Sequence, residues 1–226
     1  YGRAVYRDGE MAEGMDRITG DYNDFWAGRD YLNDMAPMKA ALLMSHGFND
    51  WNVMPEHSYR IIKAAKEKGL PVQIYYHQNG HGGPPPLSMM NRWFTHYLHG
   101  VDNGVENDAK AWIVREADEQ NQPTPYPDYP HPNAQPVGLQ LIAGAPGVGE
   151  LSSSTENEPV TETLVDNFSF SGSTLAQAEY SNHRLLYVTP VLQEPVHLSG
   201  LARLNIRLAS SKPAANLSVW IVSLPW

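Results

Sequence analysis

The stretch MKAALLMSHGFND, residues 38–50, holds a short apolar run that ends at a His-Gly turn. Such a run is typical of a strand buried on both faces of a parallel sheet. Asp50 then lies just past the carboxyl end of this strand, where α/β proteins carry their functional loops. The stretch therefore predicts a central strand followed by a candidate functional loop.

The elements downstream continue this pattern. Residues 55–68 repeat apolar side chains at helical spacing, with a proline at the start and a glycine after the last turn. Residues 71–77 alternate as a strand, and residues 87–98 form a second amphipathic helix. Because strand, helix, strand, helix is the order of a doubly wound sheet, we predict an α/β fold that ends with a short strand at 110–115.

The composition and the hydrophobic pattern of the chain change after residue 116. Residues 117–136 contain six prolines among polar residues, which is typical of a stiff linker. Short alternating segments with turn signals then predict strands at 137–143, 161–166, 184–189, 195–208 and 216–223. We therefore predict three parts: residues 1–116, the carboxyl-terminal part of an α/β catalytic domain whose residues 21–34 form an amphipathic helix; the linker 117–136; and residues 137–226, an incomplete β-sandwich.

Composition narrows the classes of function. The chain has 16 Lys and Arg against 25 Asp and Glu, a net charge of −9, which argues against a nucleic-acid or anionic-membrane partner. No apolar run approaches the roughly 18 to 20 residues of a membrane span. Without cysteine the chain has neither disulfides nor thiolate metal sites, and it suits either the cytoplasm or an oxidising compartment. Localisation and oligomeric state stay open.

Asp50 and His81 are the candidate catalytic residues. They are separated by one predicted helix and one predicted strand, so both would lie on loops at the same edge of the sheet. A hydrolytic triad needs a carboxylate that binds one imidazole nitrogen while the other nitrogen moves the proton of the nucleophile. The alternative is structural: Asp50 caps the following helix, and His81 is a surface histidine.

The nucleophile of such a triad is missing from the sequence. No Gly-x-Ser-x-Gly elbow occurs, and no cysteine replaces the serine. The chain also starts at Tyr1, without an initiator methionine, so we expect it to be the carboxyl part of a longer enzyme. We further expect the chain alone to be inactive, because a histidine base without a nucleophile has nothing to activate.

Other residues near the candidate pair favour structural roles. His77 and His81 are four apart, but glycines and prolines place them in a loop, and no glutamate follows His77 as a zinc-protease motif requires. We predict neither a metal nor a cofactor. His46 is interpreted as a structural residue at a strand end that could line the cleft, and Trp51 as a plug between loop and helix rather than an aromatic that contacts the substrate.

In three segments the residue sequence itself is more specific than the spacing of the candidate residues. SHGFNDWNVMPEH (45–57), YYHQNGHGGPPP (75–86) and NRWFTHYLHGVDNGVEN (91–107) resemble the Xaa-Pro dipeptidyl-peptidase family of serine peptidases. LLYVTPVLQEPVHLSG (185–200) and LSVWIVSL (217–224) are similar to its carboxyl-terminal jelly-roll domain. The resemblance implies a partial α/β-hydrolase fold followed by an all-β jelly roll.

The resemblance also implies roles for residues. Asp50 matches the triad aspartate of the family and His81 its triad histidine, whereas the serine, in a Gly-x-Ser-Tyr-x-Gly elbow, has no counterpart in this chain. The implied reaction releases amino-terminal dipeptides whose second residue is proline, so the implied partner is such a peptide.

Two alternatives stay open on the sequence alone. Relatives on the same scaffold hydrolyse esters or acylated amino groups, and they share the acid, the base and the jelly roll. Alternatively, the chain is a non-catalytic binding or assembly module, with Tyr180, Tyr187 and Trp220 as an aromatic platform, although burial in a core is the commoner role of strand aromatics.

Overall fold

The computed structural model describes residues 3–116, 118, 122–154, 160–213, 215 and 217–225. The chain divides into two compact units, residues 1–134 with 199–216, and residues 135–198 with 217–226. Both candidate catalytic residues lie in the first unit. The domain boundaries drawn from the sequence stay a prediction.

The first unit begins with short helical segments. A π-helical turn (Arg3–Arg7) and helix α1 (Glu10–Gly14) precede helix α2 (Asp24–Ala27) and a 3₁₀ turn (Tyr31–Asp34). The predicted helix over 21–34 is therefore two pieces. The side chain of Asn23 caps α2 by accepting from the amides of Phe25 and Trp26, but the side chain of Asp30 accepts from the Leu32 amide and so starts a separate turn.

The first unit is built on a four-stranded sheet in the order β1-β2-β3-β4. The strands are β1 (Leu42–Gly47), β2 (Val72–His77), β3 (Ala111–Ile113) and β4 (Thr124–Tyr126). Strands β1, β2 and β3 are parallel, which confirms the predicted parallel sheet. Gly47 is in register with His77, the last residue of β2, so the loops after β1 and β2 leave the sheet side by side.

Two helices of 13 residues each follow β1 and β2, namely α3 (Pro55–Glu67) and α4 (Leu87–His99). Both confirm the predicted helices. Ile62 and Ala65 of α3 are buried on Val72, Ile74 and Tyr76 of β2, and each fully buried large apolar side chain contributes roughly 1.5–3 kcal/mol. In the described part of the chain, no helix is both long and apolar enough to cross a bilayer.

Strand β4 corrects the interpretation of residues 117–136 as a linker throughout. It pairs antiparallel with β3 and forms the edge of the sheet, with Pro125 opposite Trp112. Proline is tolerated on an edge strand because its missing N–H need not face a partner strand. The proline-rich composition therefore conceals a strand that completes the sheet.

The second unit contains a three-stranded sheet of β5 (Gln140–Ile142), β6 (Gly149–Ser152) and β7 (Tyr187–Val188), and helix α5 (Gly172–Gln177). Strands β5 and β7 fall within two predicted segments. The strands predicted at 161–166, 195–208 and 216–223 are wrong for the residues described there. Alternation alone does not make a strand, because a strand exists only where its backbone pairs with another. The jelly roll stays a prediction.

Candidate active site

Asp50 lies in the loop after β1, and only 4% of its surface is exposed. Its Oδ1 accepts hydrogen bonds from the amides of Asn52 and Val53, both at 2.9 Å. The bond from Val53 lowers the pKa of Asp50 to about 2 against the opposing effect of burial, and bonds from His81 and Asn52 add to the lowering. The side chain is therefore a carboxylate at neutral pH.

His81 lies in the loop after β2 and faces Asp50. Its Nδ1 is 2.9 Å from Asp50 Oδ2, so the structure brings the two predicted residues together. Because a carboxylate only accepts, Nδ1 carries the proton and Nε2 offers a lone pair. The His81 side chain is 61% exposed, and within the described residues no group hydrogen-bonds Nε2. Nε2 is thus free to take up a proton from a group that approaches it.

Hydrogen bonds to backbone carbonyl groups hold the two loops against each other. The Phe48 amide donates to His77 O at 2.7 Å, and the Asn49 side chain donates to Gln78 O at 2.6 Å. At the far end of the loop that carries His81, the Ser45 hydroxyl donates to Gly83 O at 2.7 Å. These contacts fix the distance between the two loops independently of the Asp50–His81 bond.

Gly47 is the point of closest approach between the loops. A Cβ atom on Gly47 would lie 2.5 Å from Gly80 O and even closer to Asn79 O, both of them backbone atoms of the loop that carries His81. Only glycine allows this approach, because carbonyl oxygens cannot swing away as a side chain can. The residue at position 47 therefore decides whether His81 reaches Asp50.

We expect Gly47→Ala in the full-length protein to displace the loop of His81 and to destabilise the fold by roughly 1–3 kcal/mol, as overpacking does. Activity should fall at the same time, because His81 loses its distance to Asp50. Thermal melting and steady-state kinetics would measure both. Gly138→Ala is the matched control, since nothing lies within 4 Å of a Cβ at position 138. A Gly47→Ala variant with the melting temperature and activity of the wild type would contradict this account.

His77 is buried behind the pair, with 1% of its surface exposed. Burial lowers the pKa of His77 and the neighbouring His46 adds to the lowering, whereas the Gly83 backbone opposes it, so the ring is neutral. His77 therefore supports the loop from the protein interior, whereas His81 lies at the surface. Among the described residues, no group of three or more His, Cys, Asp or Glu side chains is arranged to hold a metal ion.

His46 makes the structural hydrogen bonds expected of it and one further contact with Asp50, whereas Trp51 differs from its sequence interpretation. His46 Nε2 lies 3.3 Å from Asp50 Oδ2, a contact that the spacing of the two residues could not indicate, because they are on a strand and a loop. Trp51 is 60% exposed, so its interpretation as a plug is wrong. The Asp50 carboxylate accepts hydrogen bonds from the amides of Asn52 and Val53. These bonds close a turn that contains the exposed Trp51.

Two family models match this chain. The X-Pro dipeptidyl-peptidase C-terminal non-catalytic domain matches residues 103–225, more than half of the chain, and the X-Pro dipeptidyl-peptidase (S15 family) matches residues 3–83. The chain belongs to the X-Pro dipeptidyl-peptidase family. Asp50 and His81 both lie in the range matched by the S15 family, and the close pair they form is part of that segment.

Curated relatives agree with this membership. A provisionally named Xaa-Pro dipeptidyl-peptidase of Rhodopirellula baltica is 63% identical over 97% of this chain and 35% of its own length. The Xaa-Pro dipeptidyl-peptidase of Lacticaseibacillus rhamnosus is 30% identical over 95% of this chain and 28% of its own length. A solved CocE/NonD family hydrolase from Staphylococcus aureus is 18% identical, with a TM-score of 0.49 over 67% of this chain and 27% of that one. The chain thus spans about a third of the curated relatives it matches.

Proposed function

We propose that this chain is part of a serine-type dipeptidyl-peptidase that releases Xaa-Pro dipeptides from the amino termini of peptides. The observation that carries the proposal is the 2.9 Å contact between buried, ionised Asp50 and exposed His81 on neighbouring strand-end loops. An acid and base of this geometry suit a Ser-His-Asp triad. We place the serine outside these 226 residues, in the part of the relatives that this chain does not span.

In the proposed reaction, Nε2 of His81 takes the proton of the serine hydroxyl as the serine oxygen attacks the carbonyl carbon of the proline residue. The imidazolium then gives this proton to the departing amine, and an acyl-enzyme and a shortened peptide result. A water molecule next attacks the ester, His81 takes its proton and returns it to the serine, and the dipeptide leaves. Asp50 stays ionised throughout and stabilises the imidazolium in both steps.

A panel of substrates tests the proposed specificity with the full-length protein. We expect Ala-Pro p-nitroanilide to be hydrolysed with a kcat/KM about 100-fold above that of Ala-Ala p-nitroanilide, because a pocket shaped for one side chain discriminates at about this level. N-acetylated Ala-Pro p-nitroanilide, which lacks the free amino terminus, should be a poor substrate. The isolated chain of 226 residues, assayed beside the full-length protein, should give no turnover.

The panel also separates the proposal from its competitors. Turnover of a simple aryl ester without cleavage of Ala-Pro p-nitroanilide would contradict the peptidase and indicate an esterase or acylase. Absence of any turnover by the folded full-length protein would contradict the enzyme altogether and favour the binding module.

A further inference from the structure

His46 lies between β1 and α3, and both of its ring nitrogens contact fixed polar groups. Nε2 is 2.8 Å from Val53 O and 3.3 Å from Asp50 Oδ2, while Nδ1 contacts the hydroxyl of Ser58 in α3. The His46 side chain is only 8% exposed. A buried imidazole with every nitrogen engaged is held in one orientation, so these contacts persist as long as the loop keeps its shape.

The partners of His46 fix its tautomer. Val53 O can only accept, so Nε2 carries the proton and donates it to Val53 O, with Asp50 Oδ2 3.3 Å away. The Ser58 hydroxyl can donate, so it donates to the lone pair of Nδ1. Neutral His46 satisfies all of these partners at once, without an added proton.

The contacts of His46 complete the coordination of Asp50. Oδ1 accepts from the amides of Asn52 and Val53, and Oδ2 accepts from Nδ1 of His81 and lies 3.3 Å from Nε2 of His46. Val53 is held at both of its backbone groups, since its N–H donates to Asp50 and its carbonyl accepts from His46. Without His46, the turn would lose its hydrogen bond at the Val53 carbonyl, and Oδ2 would lose its contact with Nε2.

We propose that His46 is a positioning residue for the acid of the triad: it fixes the turn 50–53 and the orientation of Asp50, so that Oδ2 faces His81. This inference rests on the proposed function. The contacts of His46 are with Val53, Ser58 and Asp50, so its effect on the reaction passes through Asp50. A misplacement of about 1 Å in a catalytic array can lower the rate about 100-fold. We therefore expect the loss of His46 to lower kcat and to leave KM nearly unchanged.

A matched pair of variants in the full-length protein tests this role. In His46→Gln the side-chain amide can still donate toward Val53 O and Asp50, whereas His46→Met has a similar length and no donor. We expect His46→Met to lower kcat for Ala-Pro p-nitroanilide by about 10- to 100-fold with KM within about twofold, and His46→Gln to retain at least about five times the kcat of His46→Met. Both should melt at similar temperatures.

Equal kcat values in the two variants would overturn the proposal, as would a loss in His46→Met that is confined to KM. His81→Ala, assayed in parallel, separates the two levels of inference: if it is inactive while His46→Met has wild-type kcat, only the role of His46 fails, whereas an active His81→Ala variant removes the proposed function as well. A measurement on the wild type is independent of variant folding. Proton–nitrogen spectra of protein labelled with ¹⁵N-histidine should show a proton on Nε2 of His46, and an Nε2 without a proton would overturn the inference.

Discussion

His81→Ala in the full-length protein should lower kcat for Ala-Pro p-nitroanilide by about 10⁴- to 10⁶-fold, the loss expected when the base of a triad is removed. The His81 ring is 61% exposed and its one described hydrogen bond is to Asp50, so the melting temperature should stay within a few degrees. A large loss of rate without a loss of stability is the signature of a chemical role. Steady-state kinetics and thermal melting measure the two quantities.

His99→Ala is the matched control for this experiment. His99 is exposed in the last turn of α4, away from both loops, so its removal should leave kcat and KM unchanged. Retention of more than about one hundredth of the wild-type kcat by His81→Ala would exclude His81 as the base, because general-base catalysis alone contributes about 10²- to 10⁴-fold.

Asp50→Asn should lower kcat by about 10⁴-fold, because an amide in place of the carboxylate favours the wrong tautomer of the histidine. The asparagine can keep an oxygen toward the amides of Asn52 and Val53, but its NH₂ group then faces the N–H groups of His46 and His81. We therefore expect a loss of stability as well, unlike the result for His81→Ala. Asp102→Asn, at an exposed position, is the control and should change neither quantity.

The same variant has a pH signature. The pKa of Asp50 falls from 3.8 to about 2 in the folded chain, chiefly through the bond from the Val53 amide, so ionised Asp50 stabilises the fold above about pH 4. That contribution disappears as the pH falls from about 4 to about 2, because the carboxyl is then protonated in both states. Asp50→Asn should therefore lose less stability than the wild type over this interval. A wild-type kcat in Asp50→Asn, or an identical acid dependence, would contradict the role of Asp50.

The sheet and its two long helices could be predicted because their patterns are local. Helix α3 combines a proline at its start, a helical repeat of apolar residues and a glycine after its end, and β2 carries alternating apolar residues at Val72, Ile74 and Tyr76, although all six of its residues are buried. Strand β4 could not be predicted, because its pairing with β3 depends on a distant segment and its own composition argues against a strand. The strands predicted over 195–208 failed for the converse reason: Leu204 and Ile206 alternate, but both are exposed and their backbone pairs with no strand in the described chain.

The residues of the candidate site also differ in whether the sequence could predict them. Asp50 and His81 could be found because parallel strands bring their carboxyl-terminal loops to one edge of the sheet. The contribution of His46 could not, since its contacts with Val53, Ser58 and Asp50 depend on how the turn after β1 closes. Likewise, the sequence suggested only a turn at Gly47, and its real constraint is the backbone at Asn79 and Gly80 in the loop after β2.

Strands β3 and β4 belong to one unit by sequence family and to another by folding. The family model of the non-catalytic domain begins at residue 103, yet the residues that follow supply β3 and β4, the last two strands of the sheet that carries Asp50 and His81. A gene fusion that cut the chain at residue 102 would leave β2 with an open edge, and an open edge invites pairing with foreign chains. The boundary of the sequence family at residue 103 therefore differs from the boundary of the folded sheet, which extends through β4.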